Sequence, residues 1–158
     1  MLVEFADAVS DLSCTPKNRY VWRAINDSQF APRVVIIEYN AGIPTNVSAV
    51  VDIADAARWT GTNYFGASLR ALAELGASKG YSLIYCDRRG VNAFFVRSDI
   101  LRCQGVVPPS VEAVWRPPAY GLNSRGHPPE LNTSRQYVIL DAAGHEVKRE
   151  HVAQWPQQ

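Results

Sequence analysis

What this sequence lacks narrows its reading before what it holds does. Sixteen Lys and Arg face fifteen Asp and Glu, a formal charge of +1, so neither sign is in surplus. A chain so balanced carries no broad field to draw nucleic acid or an anionic membrane to it, and neither partner is expected. Cysteine is scarce and unpaired. Cys14, Cys86 and Cys103 form no CxxC, which argues against a disulfide framework and a zinc knuckle. Cys86 stands in an apolar run and reads as a reduced core thiol, which points to a cytoplasmic setting. No apolar run approaches ~20 residues, so no segment is expected to span a membrane. The opening MLVEFADAVSDL has early acids and no basic stretch, unlike a secretory signal, which makes the NVS and NTS sequons chance matches. Of the three histidines, His127, His145 and His151, the last two are six apart and miss a shared helical face, so no metal site is expected. Finally, no GxGxxG run occurs anywhere.

The composition itself, 47% hydrophobic and 20% charged, is that of a chain that buries a core. Residues 1–12 place Leu2, Phe5, Ala6 and Val9 near one face and predict a short helix. Thr15-Pro16 predicts the start of a second, with Tyr20, Val21, Ala24 and Ile25 at helical spacing and Trp22 partly off that stripe. Residues 33–40 (RVVIIEYN) hold four successive β-branched side chains without polar alternation, which predicts a parallel strand buried on both faces. A long connection over residues 41–61 follows, of the length often used for a lid or binding loop. The next helix is predicted over residues 63–79, capped by Thr62 or Asn63, with Phe65, Leu69, Leu72 and Leu75 on its apolar stripe and Gly80 as its left-handed end. Residues 81–86 (YSLIYC) then read as a strand parallel to the first, and residues 91–96 as a third strand returning antiparallel after the turn at 87–90. A short helical turn follows from Ser98 to Leu101.

Past Gly105 the character changes, with six prolines in three Pro-Pro pairs over about two dozen residues. The expected organisation is an α/β domain over residues 1–105, then a Pro-rich arm and tail over 106–158. Within the tail, residues 137–140 suggest a strand, Gly144 a turn and residues 146–155 a frayed helix. The fold class expected is α/β, a partial Rossmann-like sheet whose parallel strands are closed by an antiparallel hairpin.

Several stretches sharpen this. YVWRAI at 20–25, PRVVIIEYN at 32–40, RWTGTNYFGASL at 58–69, KGY at 79–81 and GVNAFFVR at 90–97 resemble the C-terminal half of FkbM-type class I methyltransferases and their uncharacterised bacterial relatives. The run from Trp115 to Pro129 looks like the tail of those relatives, so the resemblance covers roughly residues 20–130. It implies S-adenosylmethionine as cofactor and oxygen-directed methylation of a sugar or small metabolite. Such enzymes hold the cofactor on a glycine-rich first turn and an acid ending the second strand. In those relatives an acidic motif of the SIDIDGND type precedes the aromatic–Trp helix. Here LSCTPKNR stands at 12–19, without its aspartates. The expectation is therefore a methyltransferase-like chain without the cofactor-binding half, silent alone. No cofactor is expected for the chain by itself, and its sheet is to be completed by a second copy or another chain. The alternative is an interaction module built on the 41–61 loop and the Pro-rich arm.

Open α/β sheets place ligands beyond the carboxyl ends of their strands. That makes Glu38 and Asn40 the catalytic candidates, with Tyr39 beside them on the substrate rim. Trp59, Asn63 and Tyr64 join the rim, because a helix starting there would offer its amides to an anion. Asn92, opening the last strand, faces the same crevice in this reading. Each has a plainer role available: strand end, helix cap, aromatic staple or turn residue.

Overall fold

The computed structural model describes residues 2–4, 17–25, 28–54, 62–119 and 134–151. Eleven elements follow one another: β1 (Leu2–Glu4), α1 (Asn18–Ala24), β2 (Val34–Glu38), β3 (Ala49–Val50), α2 (Leu69–Ser78), β4 (Tyr81–Cys86), β5 (Asn92–Arg97), α3 (Ser98–Cys103), α4 (Val111–Val114), β6 (Gln136–Leu140) and β7 (Glu146–His151). They build two small sheets, ordered β1-β2-β5-β4 and β3-β6-β7.

This overturns the expected Rossmann-like sheet. β5 lies between β2 and β4 and is antiparallel to both, so the two strands expected to be parallel neighbours never touch. The cause is legible afterwards in the side chains. Val35 and Ile37 on β2 match Phe95 and Ala93 on β5, register for register, while Leu83 and Cys86 on β4 match Phe95 and Ala93 from the other side. One apolar face thus runs across three strands, and only with β5 in the middle. Among the described strands only the three-residue β1 pairs in parallel, Leu2 to Glu4 against Val34 to Ile36. The prediction of a helix over the first residues is corrected here too, since its described part is strand.

β2 is also not buried on both faces. Val35 and Ile37 are 1% and 6% exposed, while Val34, Ile36 and Glu38 are half-buried. The alternation is that of an antiparallel sheet with one dry face. Against that dry face α2 packs Leu69, Leu72 and Leu75, and α1 inserts Trp22. The Trp22 ring meets Phe95 edge-on at 4.9 Å between centroids and Tyr81 at 5.9 Å. Such pairs add to the stabilisation from area alone. Gly76 allows this approach: a Cβ there would lie 2.9 Å from the Phe95 ring and 3.0 Å from Trp22.

α2 starts later than its sequence predicts. Ser68, not Thr62 or Asn63, is the cap, its Oγ accepting from the Ala71 amide at 3.1 Å and the Ala49 amide at 3.0 Å. The preceding chain instead runs beside β3, with Ala67 bridging Val50. The C-terminal end is as expected, Gly80 taking φ +80°.

The second sheet draws β3 from the 41–61 connection and β6 and β7 from beyond the Pro-rich stretch. Its small core is Ile43, Ala49, Val51, Tyr64 and Tyr137. The expected helix over 146–155 is a strand through His151, because residues 141–145 turn the chain back onto β6. No helix among the described residues is long and apolar enough to cross a membrane.

Candidate functional site

Strand β2 alternates, so its last residues part company. Glu38 sits on the half-buried face, directly across from Asn92 in the β2–β5 register. Tyr39 turns into the core, and Asn40 ends the strand 1% exposed. α1 supports this end through Asn18, whose Nδ2 donates to the Glu38 carbonyl at 2.7 Å.

Glu38 is the chemically unusual member. Burial, with no cation beside it among the described residues, pushes its carboxyl up to about 7. A carboxyl losing its proton near neutrality can both take and give one under ordinary conditions. Asn92 is held next to it by its own turn. The Asp87 carboxylate accepts from the amides of Arg89, Val91 and Asn92, the last at 2.5 Å, fixing the hairpin between β4 and β5.

The other rim candidates are spent on structure. Asn40 Nδ2 donates to the carbonyls of Asn63 at 2.8 Å and Phe65 at 3.1 Å, and its Oδ1 accepts from the Gly42 amide at 3.0 Å. Both amide hydrogens and one acceptor site are thereby committed to the backbone. The Tyr39 hydroxyl donates to the Arg116 carbonyl at 3.0 Å, and burial raises its pKa far above the usual phenol range, so it stays neutral. Asn63 lies 5% exposed, its carbonyl also accepting from Tyr137 at 3.0 Å. Tyr64 packs edge-on against Tyr137 at 4.9 Å and donates to the Gln136 carbonyl at 2.9 Å. Since α2 begins only at Leu69, neither Asn63 nor Tyr64 stands at a helix N-terminus, and the anion site expected of them is not formed. Trp59 lies outside the described residues. Of the predicted set, then, the structure brings Glu38 and Asn92 together and makes Tyr39, Asn40, Asn63 and Tyr64 buried connectors.

Cys86 is wholly buried, and burial pushes its thiol up to about 11, which keeps it protonated and unreactive. Among the described residues no group of three or more His, Cys, Asp or Glu could hold a metal ion.

The fit to S-adenosylmethionine can be tested at the helix that follows a strand. A nucleotide-type cradle needs free amides at such a helix's N-terminus. At α2 that position is filled by Ser68, 0% exposed, which takes the Ala71 amide on its own hydroxyl. The start of α2 therefore carries a serine cap where such a cradle would leave that amide free.

One charged side chain escapes a reading by apolar spacing. The stripe of residues 20, 21, 24 and 25 passes over Arg19, which is 3% exposed. The signal was there in the sequence: Arg19, Trp22 and Arg23 stand at i, i+3 and i+4, one face of α1.

The chain matches no protein-family model, and no similar chain is found among curated proteins or solved structures.

Proposed function

We propose that this chain is the acceptor-side part of a methyltransferase-like enzyme, silent by itself and completed by a second polypeptide. The observation that carries this reading is Glu38, an uncompensated carboxyl pushed up to about 7 at the end of a core strand, beside Asn92. Perturbed titration of this kind suits proton transfer, here removal of the proton from a hydroxyl of a small substrate. The methyl-transfer chemistry is supplied by the resemblance of residues 20–130 to FkbM-type enzymes, which favours a sugar or small-metabolite hydroxyl as acceptor. No residue of this chain is assigned to the cofactor. A cytoplasmic setting suits the free thiol of buried Cys86.

What supports a completing partner is the edge of the first sheet among the described strands. β1 covers β2 over only three residues, and its own outer edge ends the sheet. Such an edge accepts a further strand, from a second copy or another protein. Reading the chain as an interaction module finds less support. The arm through residue 119 is fastened to its own domain by the Ala119 amide on the Arg89 carbonyl at 2.9 Å and by the Tyr39 hydroxyl on Arg116.

Calorimetry of the isolated chain with S-adenosylmethionine is expected to give no binding heat, and micromolar binding would refute the silent state. Light scattering is expected to show association, and a well-folded monomer at every concentration would refute completion by a second copy. In that case co-purification with another polypeptide must be seen for the reading to stand.

A further inference from the structure

We propose that Arg19 and its neighbours form a binding site for a small oxyanion, separate from the Glu38 rim. Arg19 is a guanidinium on α1 with 3% of its surface exposed, and its Nε is buried without a hydrogen-bond partner. Among the described residues no acceptor takes a hydrogen bond from its terminal nitrogens, and no carboxylate lies within ion-pair distance. Proteins rarely leave a cation in that state, because desolvation is costly unless a counter-charge or acceptor replaces the lost water.

The surroundings fit the missing partner. Arg19 lines a cavity of about 190 Å³ together with Arg23, Glu74, Ser78, Lys79 and Gly144. It spans that space, since a Cβ placed on Gly144 would fall 2.9 Å from Arg19 Nη2. Among the described lining residues Arg19, Arg23 and Lys79 stand with one acid, Glu74, whose Oε2 accepts from Ser48 Oγ at 2.5 Å. Lys79, at the same wall, donates to the Ile25 carbonyl at 2.9 Å. The C-terminal end of α2 adds some negative potential here, though none of its carbonyls accepts from Arg19. The balance stays cationic. Burial first, and then Arg23, also lower the pKa of Arg19, as an anion in the cavity would reverse.

The volume sets the ligand class. It is well below the ~300 Å³ at which drug-sized pockets begin, and room for a handful of waters at ~30 Å³ each. A phosphate group or a short carboxylate fits, and either presents the two oxygens that a guanidinium fork binds side by side.

The test is thermal unfolding and calorimetry of the full chain in sodium phosphate, in sodium succinate and in sodium chloride at matched ionic strength. Saturable stabilisation over chloride is expected in at least one of the first two, and the stronger arm names the group. Arg19→Met is expected to raise the melting temperature in chloride, by removing an unpaired buried charge, and to abolish the anion-dependent increment. Should that variant fail to fold, Arg23→Ala, at an exposed position, is expected to fold normally and weaken the anion at least fivefold. No saturable increment in either anion overturns the proposal, and so does an increment that persists unchanged in these variants.

Discussion

The two sheets of this protein are held by different means. β1-β2-β5-β4 is a dry construction: Trp22, Phe95, Tyr81 and Leu72 are at most 2% exposed and interlock over one apolar face. β3-β6-β7 lends Val50, Val138 and Leu140 to that same core, keeps a second cluster of five buried residues on its other side, and leans on polar ties. Tyr137 and Tyr64 spend their hydroxyls on backbone carbonyls, and exposed β7 is braced by Arg149 against Asp52 and Glu146, and by Lys148 against Glu150 at 2.5 Å. A sheet with enough apolar area can do without such ties, whereas a small one cannot. The lesson is where each can be broken.

The deepest break is expected at Trp22→Ala, which empties the junction of α1, α2 and the first sheet, at a cost of about 3–5 kcal/mol. Denaturant unfolding monitored by circular dichroism measures it. Next comes an unfavourable group in that sheet. Glu38 holds its proton more tightly folded than unfolded, from an ordinary 4.5 up to about 7. Stability is therefore greatest below pH ~4.5 as far as this group is concerned, and falls as pH rises through 7. Glu38→Gln is expected to flatten that slope and gain on the order of 2 kcal/mol at pH 8, with little effect at pH 4. Equal effects at both pH values would show that burial does not govern this carboxyl. In the second sheet, Tyr137→Phe removes a buried hydrogen bond to Asn63 and is expected to cost about 1 kcal/mol, with hydrogen exchange rising in β3 and β6 before β5. The smallest effect is expected at Arg149→Ala, a slight lowering of the melting temperature that vanishes in 1 M salt, as exposed ion pairs do.

The parts legible in the sequence are those set by neighbours along the chain. β4, the Asp87–Gly90 turn, β5 and the Gly80 end of α2 fall where spacing and turn chemistry put them. What depended on distant partners did not. The run VVIIE at 34–38 carries no sign that only one face will be buried, because Ile and Val suit either state. Its neighbour was misassigned because strand order is decided by matching faces across strands, and β5 presents the same alternation to β2 and to β4. The start of α2 is ambiguous in the sequence, since Thr62, Asn63 and Ser68 are all good caps, and Ser68 wins through its bond to Ala49, in another element. The site followed the same rule. Glu38 and Asn92 can be placed at their strand ends, and Arg19 on one face of α1 with Trp22, from spacing alone, whereas the burial of Arg19 is settled only by the fold.

The second sheet also has a bearing on how the chain comes together. Ala49 pairs with Ile139 and Val50 with Val138, so β3 waits for a partner at the far end of the sequence. The β4–β5 hairpin closes over a four-residue turn and needs no such wait. Loop closure over so long a span is slow and carries no reward until the last contacts form. During synthesis the first sheet is thus assembled while Ala49, Val51 and Tyr64 are still uncovered.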